Sequence, residues 1–300
     1  MSVDTGTTLT PAIVAAVREG RRLTADQVQT LAAGHDILAL GAIADDARRA
    51  RHGAATCYVR VHALSLAQEA AWTAPPAAAT EVRLVGPVDA ARLVEQVRAA
   101  HALAGGLPVR GFELAELWAL GGTALLTALA AAGLDEVATV EPAAGAAEQV
   151  RAARQAGLGV RVIGCGAPVS DRARWLLEAR ELAGVVGGID AVAPIAREVD
   201  ATTPTTGFDD VRAVALTRLA LDAVPHVQVD WQRHGPKLAQ VALTVGADDL
   251  DMVSADDDTS KGARRARRQS NPACSHGWRA PWCCGPSRFR RWWPAISAWV

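Results

Sequence analysis

The chain has 300 residues, half of them hydrophobic, which is enough for one large core or two small ones, and its formal net charge of -1 excludes an overall pull toward nucleic acid or an anionic membrane. No apolar run reaches the roughly 18 residues of a membrane span, and Asp4 and its neighbouring threonines stand where a signal peptide would be basic and then apolar, so the cytoplasm is the expected compartment. Cys57, Cys165, Cys274, Cys283 and Cys284 form no secreted disulfide framework.

In chain order, Thr10-Pro11 predicts a helix start and Gly20 its stop. Thr24 with Gln27 is a capping box for a second helix that Gly34 ends. A third helix is expected over residues 35–51, apolar on Ile37, Leu38, Leu40, Ile43 and Ala44. Strands are then expected at 56–62, 81–85, 109–113, 136–140, 160–164, 188–193, 226–230 and 247–253. The helices between them are expected to be capped at Asp89 and Ser170 and stopped at Gly105, Gly133, Gly157 and Gly184. After Thr206-Gly207, Asp209 begins a helix that ends near Pro225; Gly235-Pro236 opens another, with Gly246 as its left-handed stop.

Strand and helix alternating at roughly 22–38 residues predict a parallel (β/α)8 barrel of the TIM type with N-terminal helices, a doubly wound open sheet being the alternative. The organisation is a helical segment at 1–54, a barrel at 55–258 and a tail at 259–300. Such barrels do their chemistry at the C-terminal ends of the strands. Glu113, Glu141, Asp190, Gln228, Asp230, Asp248, Asp249 and Asp251 are therefore expected around that mouth, with Arg83 and Arg161 as anion partners. Glu141, Gln228, Asp230, Asp248 and Asp249 are the candidate substrate-binding set. Carboxylates so placed can act as general acid and base where burial raises one pKa; the plain alternative is a ring of solvated caps. His62 and His226 are expected as satisfied core groups, and His52 as part of a turn.

The tail carries nine Lys or Arg and no Asp or Glu, with five of the nine tryptophans and three of the five cysteines. GARRARR with tryptophans is a pattern that binds a phosphate backbone, and Cys274, His276, Cys283 and Cys284 are a zinc-ligating set in composition. Adjacent cysteines rarely serve one tetrahedral site, and the loss of acidic residues and helical periodicity is abrupt. A shift of reading frame near residues 268–272 is the expectation here, so neither metal nor nucleic acid is expected as a partner.

Several segments carry a resemblance: Asp36, Leu40-Gly41, Arg48 or Arg49 and His52-Gly53 in order; ALAAAGLDEV; GLGVRVIGCG; RARWLLEARELAGVVGGIDAVAPIARE; RLALDAVPHVQVDW; Gly235-Pro236-Lys237-Leu238-Ala239-Gln240; and GADDLD. Together they make the chain similar, over roughly residues 20 to 260 with gaps, to the radical S-adenosylmethionine (SAM) group of aminofutalosine synthase, dehypoxanthine futalosine cyclase and FO synthase, which serve menaquinone and deazaflavin biosynthesis. The resemblance implies a radical SAM barrel, in which the segment around His52-Gly53 plugs the floor and leads into strand one.

It also implies a [4Fe-4S] cluster held by three cysteines spaced C-x3-C-x2-C after strand one, with SAM on the open iron. Here that loop reads ALSLAQEAAWTAPPAAAT, residues 63–80, without a cysteine. Cys57 lies before the required place and Cys165 at the end of strand five, where the group tends to have histidine. Gly86-Pro87 replaces a Gly-Gly, removing an N–H donor. The expected reading is a degenerate member with no cofactor and no radical catalysis, a non-catalytic partner of a cysteine-bearing homologue or a decaying paralogue. A metal-independent barrel that binds or converts a small molecule is the second reading, and an active radical SAM enzyme of the futalosine pathway the third.

Overall fold

The computed structural model describes residues 9–197 and 206–255; the tail and the expectations attached to it lie outside the described residues. The entry helices follow their local chemistry. Thr10 caps α1 (Pro11–Arg18), and Thr24 and Gln27 close the predicted capping box on α2 (Ala25–Ala33), ended at Gly34. Asp36 caps α3 (Ile37–His52) by accepting from the Ala39 N–H at 3.0 Å, and Gly53 ends it.

Nine parallel strands follow: β1 (Cys57–Ser65), β2 (Glu81–Val85), β3 (Val109–Glu113), β4 (Glu136–Thr139), β5 (Gly159–Val160), β6 (Val162–Gly164), β7 (Ala191–Ala193), β8 (His226–Asp230) and β9 (Asp249–Ser254). Their order is β5-β4-β3-β2-β1-β9-β8-β7-β6. β5 and β6 are two halves of one strand, broken at Arg161, whose carbonyl accepts the N–H groups of Asp190 and Ala191. A bridge from Val140 to Ile163 returns β6 to β4 and closes the ring. The fold is thus the expected (β/α)8 barrel.

Outside the strands run α4 (Leu93–Ala104), α5 (Leu114–Ala132), α6 (Ala146–Gln155), α7 (Arg172–Val186), α8 (Gly207–Ala220) and α9 (Trp231–Ala242). Each begins near the C-terminal end of the preceding strand and packs its apolar face on the sheet; Val82 and Leu84 of β2 lie in one core with Leu93 and Val97 of α4. That assignment sets the parity of the walls. Val82 and Leu84 point outward to the helices, so Glu81 and Arg83 point into the lumen. One crossover differs: β1 reaches β2 through a 3-10 turn at Leu66–Ala71 and a short loop, with no α-helix.

Six boundaries depart from expectation. α7 is capped by Asp171 rather than Ser170 and runs past Gly184 to a stop at Gly187, while Asp89 caps a turn before α4. Thr206 is the cap of α8, with Asp209 as the reciprocal partner three residues on. α8 ends at Ala220, short of Pro225. α9 starts at Trp231, because Asp230 accepts from the Arg233 N–H, and only kinks at Gly235, which adopts φ 78°. α5 is long and apolar enough to cross a membrane by length and composition, but it breaks at Gly122 and lays Leu114, Leu117, Leu126 and Leu129 against the barrel.

Candidate functional site: the barrel lumen and its two ends

Inward-facing residues form a chain of charge around the lumen. Arg83 donates to both oxygens of Asp251, at 3.0 and 3.1 Å, and to Glu81. Arg110 then stands 3.9 Å from Glu81 and 3.7 Å from Glu136, and Arg161 stands 3.6 Å from Glu136 and 2.9 Å from Asp190. Burial opposes the charge on Arg83, but its two carboxylates outweigh it and hold the proton more firmly than usual. Asp251 is held well below the usual carboxylate range, burial being overcome by Arg83 and Arg110. Glu136 behaves in the opposite way: burial pushes it up to about 7, against the pull of Arg110. Three atoms on these walls have no hydrogen-bond partner, namely Arg110 Nε, Glu136 Oε2 and Asp249 Oδ1.

The expected substrate-binding set is divided among levels. Glu141 follows β4 at the mouth, where its Oε1 accepts the Gly166 N–H, and a side chain at Gly166 would strike it. Asp230 ends β8 at the mouth, pairs in register with Asp251 and is raised by burial and by the charge of Asp251. Gln228 lies inside β8, not at a strand end, and donates to Asp249 at 2.7 Å. Asp248 and Asp249 are corrected: they open β9 rather than close it. Asp249 pairs with Cys57, the first residue of β1, and the Asp248 carbonyl accepts the Cys57 N–H, so both belong to the floor. Asp190 and Arg161 are floor residues for the same reason.

Sequence reading passed over Arg197 and His234. Arg197 donates to Glu113 Oε1 at 3.1 Å and Thr139 Oγ1 at 3.2 Å, tying the ends of β3 and β4 to the segment after β7. Burial beside Arg233 pushes His234 down to about 4, so the imidazole on the first turns of α9 is neutral. Cys165 follows β6, its thiol donating to the Ala167 carbonyl at 3.2 Å, and burial raises its pKa despite the neighbouring Arg172.

At the floor, His52, His226 and Asp248 meet with ligand atoms within 4.8 Å of one another. The geometry is that of a hydrogen-bond network rather than a metal centre. Asp248 Oδ1 accepts from Arg218 and from the Val227 N–H, and Oδ2 lies 2.6 Å from His226 Nδ1 and 3.3 Å from His52 Nε2. The imidazoles stack at 4.9 Å and 22° between planes, so their in-plane lone pairs do not converge on one ion, and a guanidinium already neutralises the carboxylate. Arg218 also donates to the carbonyls of Gly246 and Pro225. His226 is therefore a satisfied group as expected, and His52 belongs to the same network.

The first crossover is fastened by its own bonds. Trp72 Nε1 donates to the Ser65 carbonyl at 2.8 Å, His62 Nε2 pairs with the Thr73 carbonyl at 3.0 Å, and Gln96 of α4 donates to the Leu66 carbonyl. Its residues supply no thiol; among the described residues, the cysteines are Cys57 at the floor and Cys165 across the barrel. The donor set beside β1 does not fit a thiolate-held cluster.

Short stretches of the chain match curated proteins. Aminodeoxyfutalosine synthase of Streptomyces coelicolor is 35% identical over 95 residues, 27% of this chain and 24% of the relative. Cyclic dehypoxanthine futalosine synthase of the same organism is 30% identical over 125 residues, 38% of this chain and 31% of the relative. A 5-amino-6-(D-ribitylamino)uracil–L-tyrosine 4-hydroxyphenyl transferase of Methanosphaerula palustris is 41% identical over 70 residues, 23% and 19% of the two chains. Among solved structures, methylornithine synthase (PylB) aligns with a TM-score of 0.59 over 83% of this chain and 88% of its own, at 16% identity. HydG, a maturase of the [FeFe]-hydrogenase, gives 0.58 over 88% and 70%, at 11% identity. The chain resembles the radical SAM aminofutalosine synthase group. No family profile matches it, the matched stretches span about a quarter of those curated relatives, and the structural likeness is one of fold.

Gly41, His52, Arg218, His226, Gly246 and Asp248 come from the resembling segments and serve the closure of α3 and α8 against β8 and β9, while Arg48, from the same segments, ties Asp45 to the Gly53 carbonyl at the end of α3.

Proposed function

We propose that this chain is a radical SAM-like barrel that does not perform cluster-dependent catalysis, acting as a non-catalytic partner of a cysteine-bearing homologue or standing as a decaying paralogue. The observation that carries the reading is the first crossover: a thiol-free 3-10 turn pinned by Trp72 and His62 where such a cluster needs three soft ligands. Gly86-Pro87, exposed after β2, adds a missing backbone donor at the mouth.

The test is anaerobic reconstitution of the whole chain with iron and sulfide, followed by absorbance and electron paramagnetic resonance spectra after reduction. No cluster is expected. A stoichiometric [4Fe-4S] signal with reductive cleavage of added SAM overturns the proposal and restores the enzyme of the futalosine pathway. Co-purification with a cysteine-bearing homologue separates the partner from the paralogue.

A second reading has its own observation. Ala63, near the C-terminal end of β1, is exposed although its register partner on β2 is the inward-facing Arg83. The inner wall is thus open to solvent at the mouth beside β1, and a small molecule has its approach towards the Arg83–Asp251 pair from there.

A further inference from the structure

The wall of the lumen formed by β8 and β9 carries more carboxyl groups than it has cations among the described residues. Gln228, Asp230, Asp249 and Asp251 share its inner face, with Gln228 beside Asp249 and Asp230 beside Asp251. Among the described residues, Arg83 is the cation that hydrogen-bonds to this face, and it is divided between Asp251 and Glu81. Arg197 at the rim is engaged by Glu113 and Thr139. The nearby floor cation, Arg218, is spent on Asp248 and two carbonyls. Asp230, the register partner of Asp251, uses one oxygen to cap α9, while Asp249, fully buried one layer lower on the same face, keeps Oδ1 without a hydrogen-bond partner among the described residues.

Opposite charge and donors are what this wall lacks. A ligand group that brings both is a primary ammonium or an amidinium, which presents several N–H donors around one positive charge. Above the acids, Ala63 and half-buried Val85 offer an apolar surface to the rest of such a molecule. We propose that the lumen of this barrel is a binding site for a small organic cation, held through its N–H donors by Asp230 and Asp251 with its apolar body against Ala63 and Val85. The assignment rests on the reading of the lumen as a small-molecule site and adds the ligand's chemical class.

Benzylammonium, benzyl alcohol and benzoate have similar bodies and differ in head-group charge, so they separate the two claims. Titrated into the full chain by calorimetry and thermal denaturation, benzylammonium is expected to bind and raise Tm, and the other two are not. Asp230→Asn keeps the helix cap and removes the charge, and is expected to weaken benzylammonium by at least about tenfold. Ala63→Leu fills the approach and is expected to abolish binding while Asp230 remains. Binding of the alcohol or benzoate as tightly as the ammonium overturns the cation assignment and leaves the lumen site standing. Failure of all three probes, in a chain whose unfolding is cooperative, overturns both. Unchanged ammonium affinity in both variants places the bound molecule elsewhere and also refutes the proposal.

Discussion

Asp249→Asn converts the most deeply buried carboxyl of the lumen into a readout. Burial pushes Asp249 from an ordinary 3.8 up to about 7; His226 and Gln228 pull it down, and Asp248 and Asp251 push it up. The folded chain therefore holds this proton more tightly than the unfolded chain. The stability it contributes is complete below the unfolded value and is lost as pH rises through the folded one. Between pH 5 and pH 8 about two units of the shift are traversed, which at ~1.4 kcal/mol per unit is about 3 kcal/mol. Asparagine keeps the shape and an acceptor for Gln228 but has no proton to lose. Urea unfolding of both proteins at pH 5, 6, 7 and 8 should show the parent losing about 3 kcal/mol more than the variant over that range. Parallel profiles would refute the placement of Asp249 as a carboxyl deprived of solvent and of a full set of partners.

Two further substitutions probe the floor by thermal and denaturant unfolding. Arg218→Met leaves the Asp248 charge buried without its guanidinium and frees the carbonyls of Gly246 and Pro225; a loss of about 3–5 kcal/mol is expected. A loss under about 1 kcal/mol would mean that the carboxylate is hydrated. Gly246→Ala must place a Cβ at φ 119° and 2.9 Å from Arg218 Cβ, so a cost above about 2 kcal/mol is expected, and a neutral result would mean that the turn has another conformation.

Local signals were legible to the extent that their chemistry is local. Thr24 with Gln27, Thr10 before Pro11 and the alternating pattern of His226 to Asp230 need only a few neighbours, and they stand where the residues put them. The cysteine-free loop after β1 was equally plain. Asp248-Asp249 opens the expected strand, 247–253, so a parallel barrel already puts the pair at the floor rather than the mouth, and the pairing of Asp249 with Cys57 fixes it there. Acidic neighbours also suggested solvent, whereas the partners that permit their burial, Arg218 and His52, come from α8 and α3. Arg197 gave no signal at all: it lies outside any strand, and its partners Glu113 and Thr139 belong to β3 and β4. Gly235-Pro236 misled because a helix-opening pair fell inside a helix already opened by Asp230.

The break at Arg161 gives the barrel a seam. Elsewhere neighbouring strands are joined by a ladder of register pairs, with one shift between β1 and β9, but between β4 and β6 the ring is completed by the Val140 N–H to Val162 and the Gly164 N–H to Val140. A closed cylinder resists opening only as well as its narrowest stretch of pairing. Amide protons of Val140 and Gly164 should thus exchange with deuterated solvent sooner than those shared by β1 and β2, and any widening that admits a guest to the lumen has its cheapest route along this line.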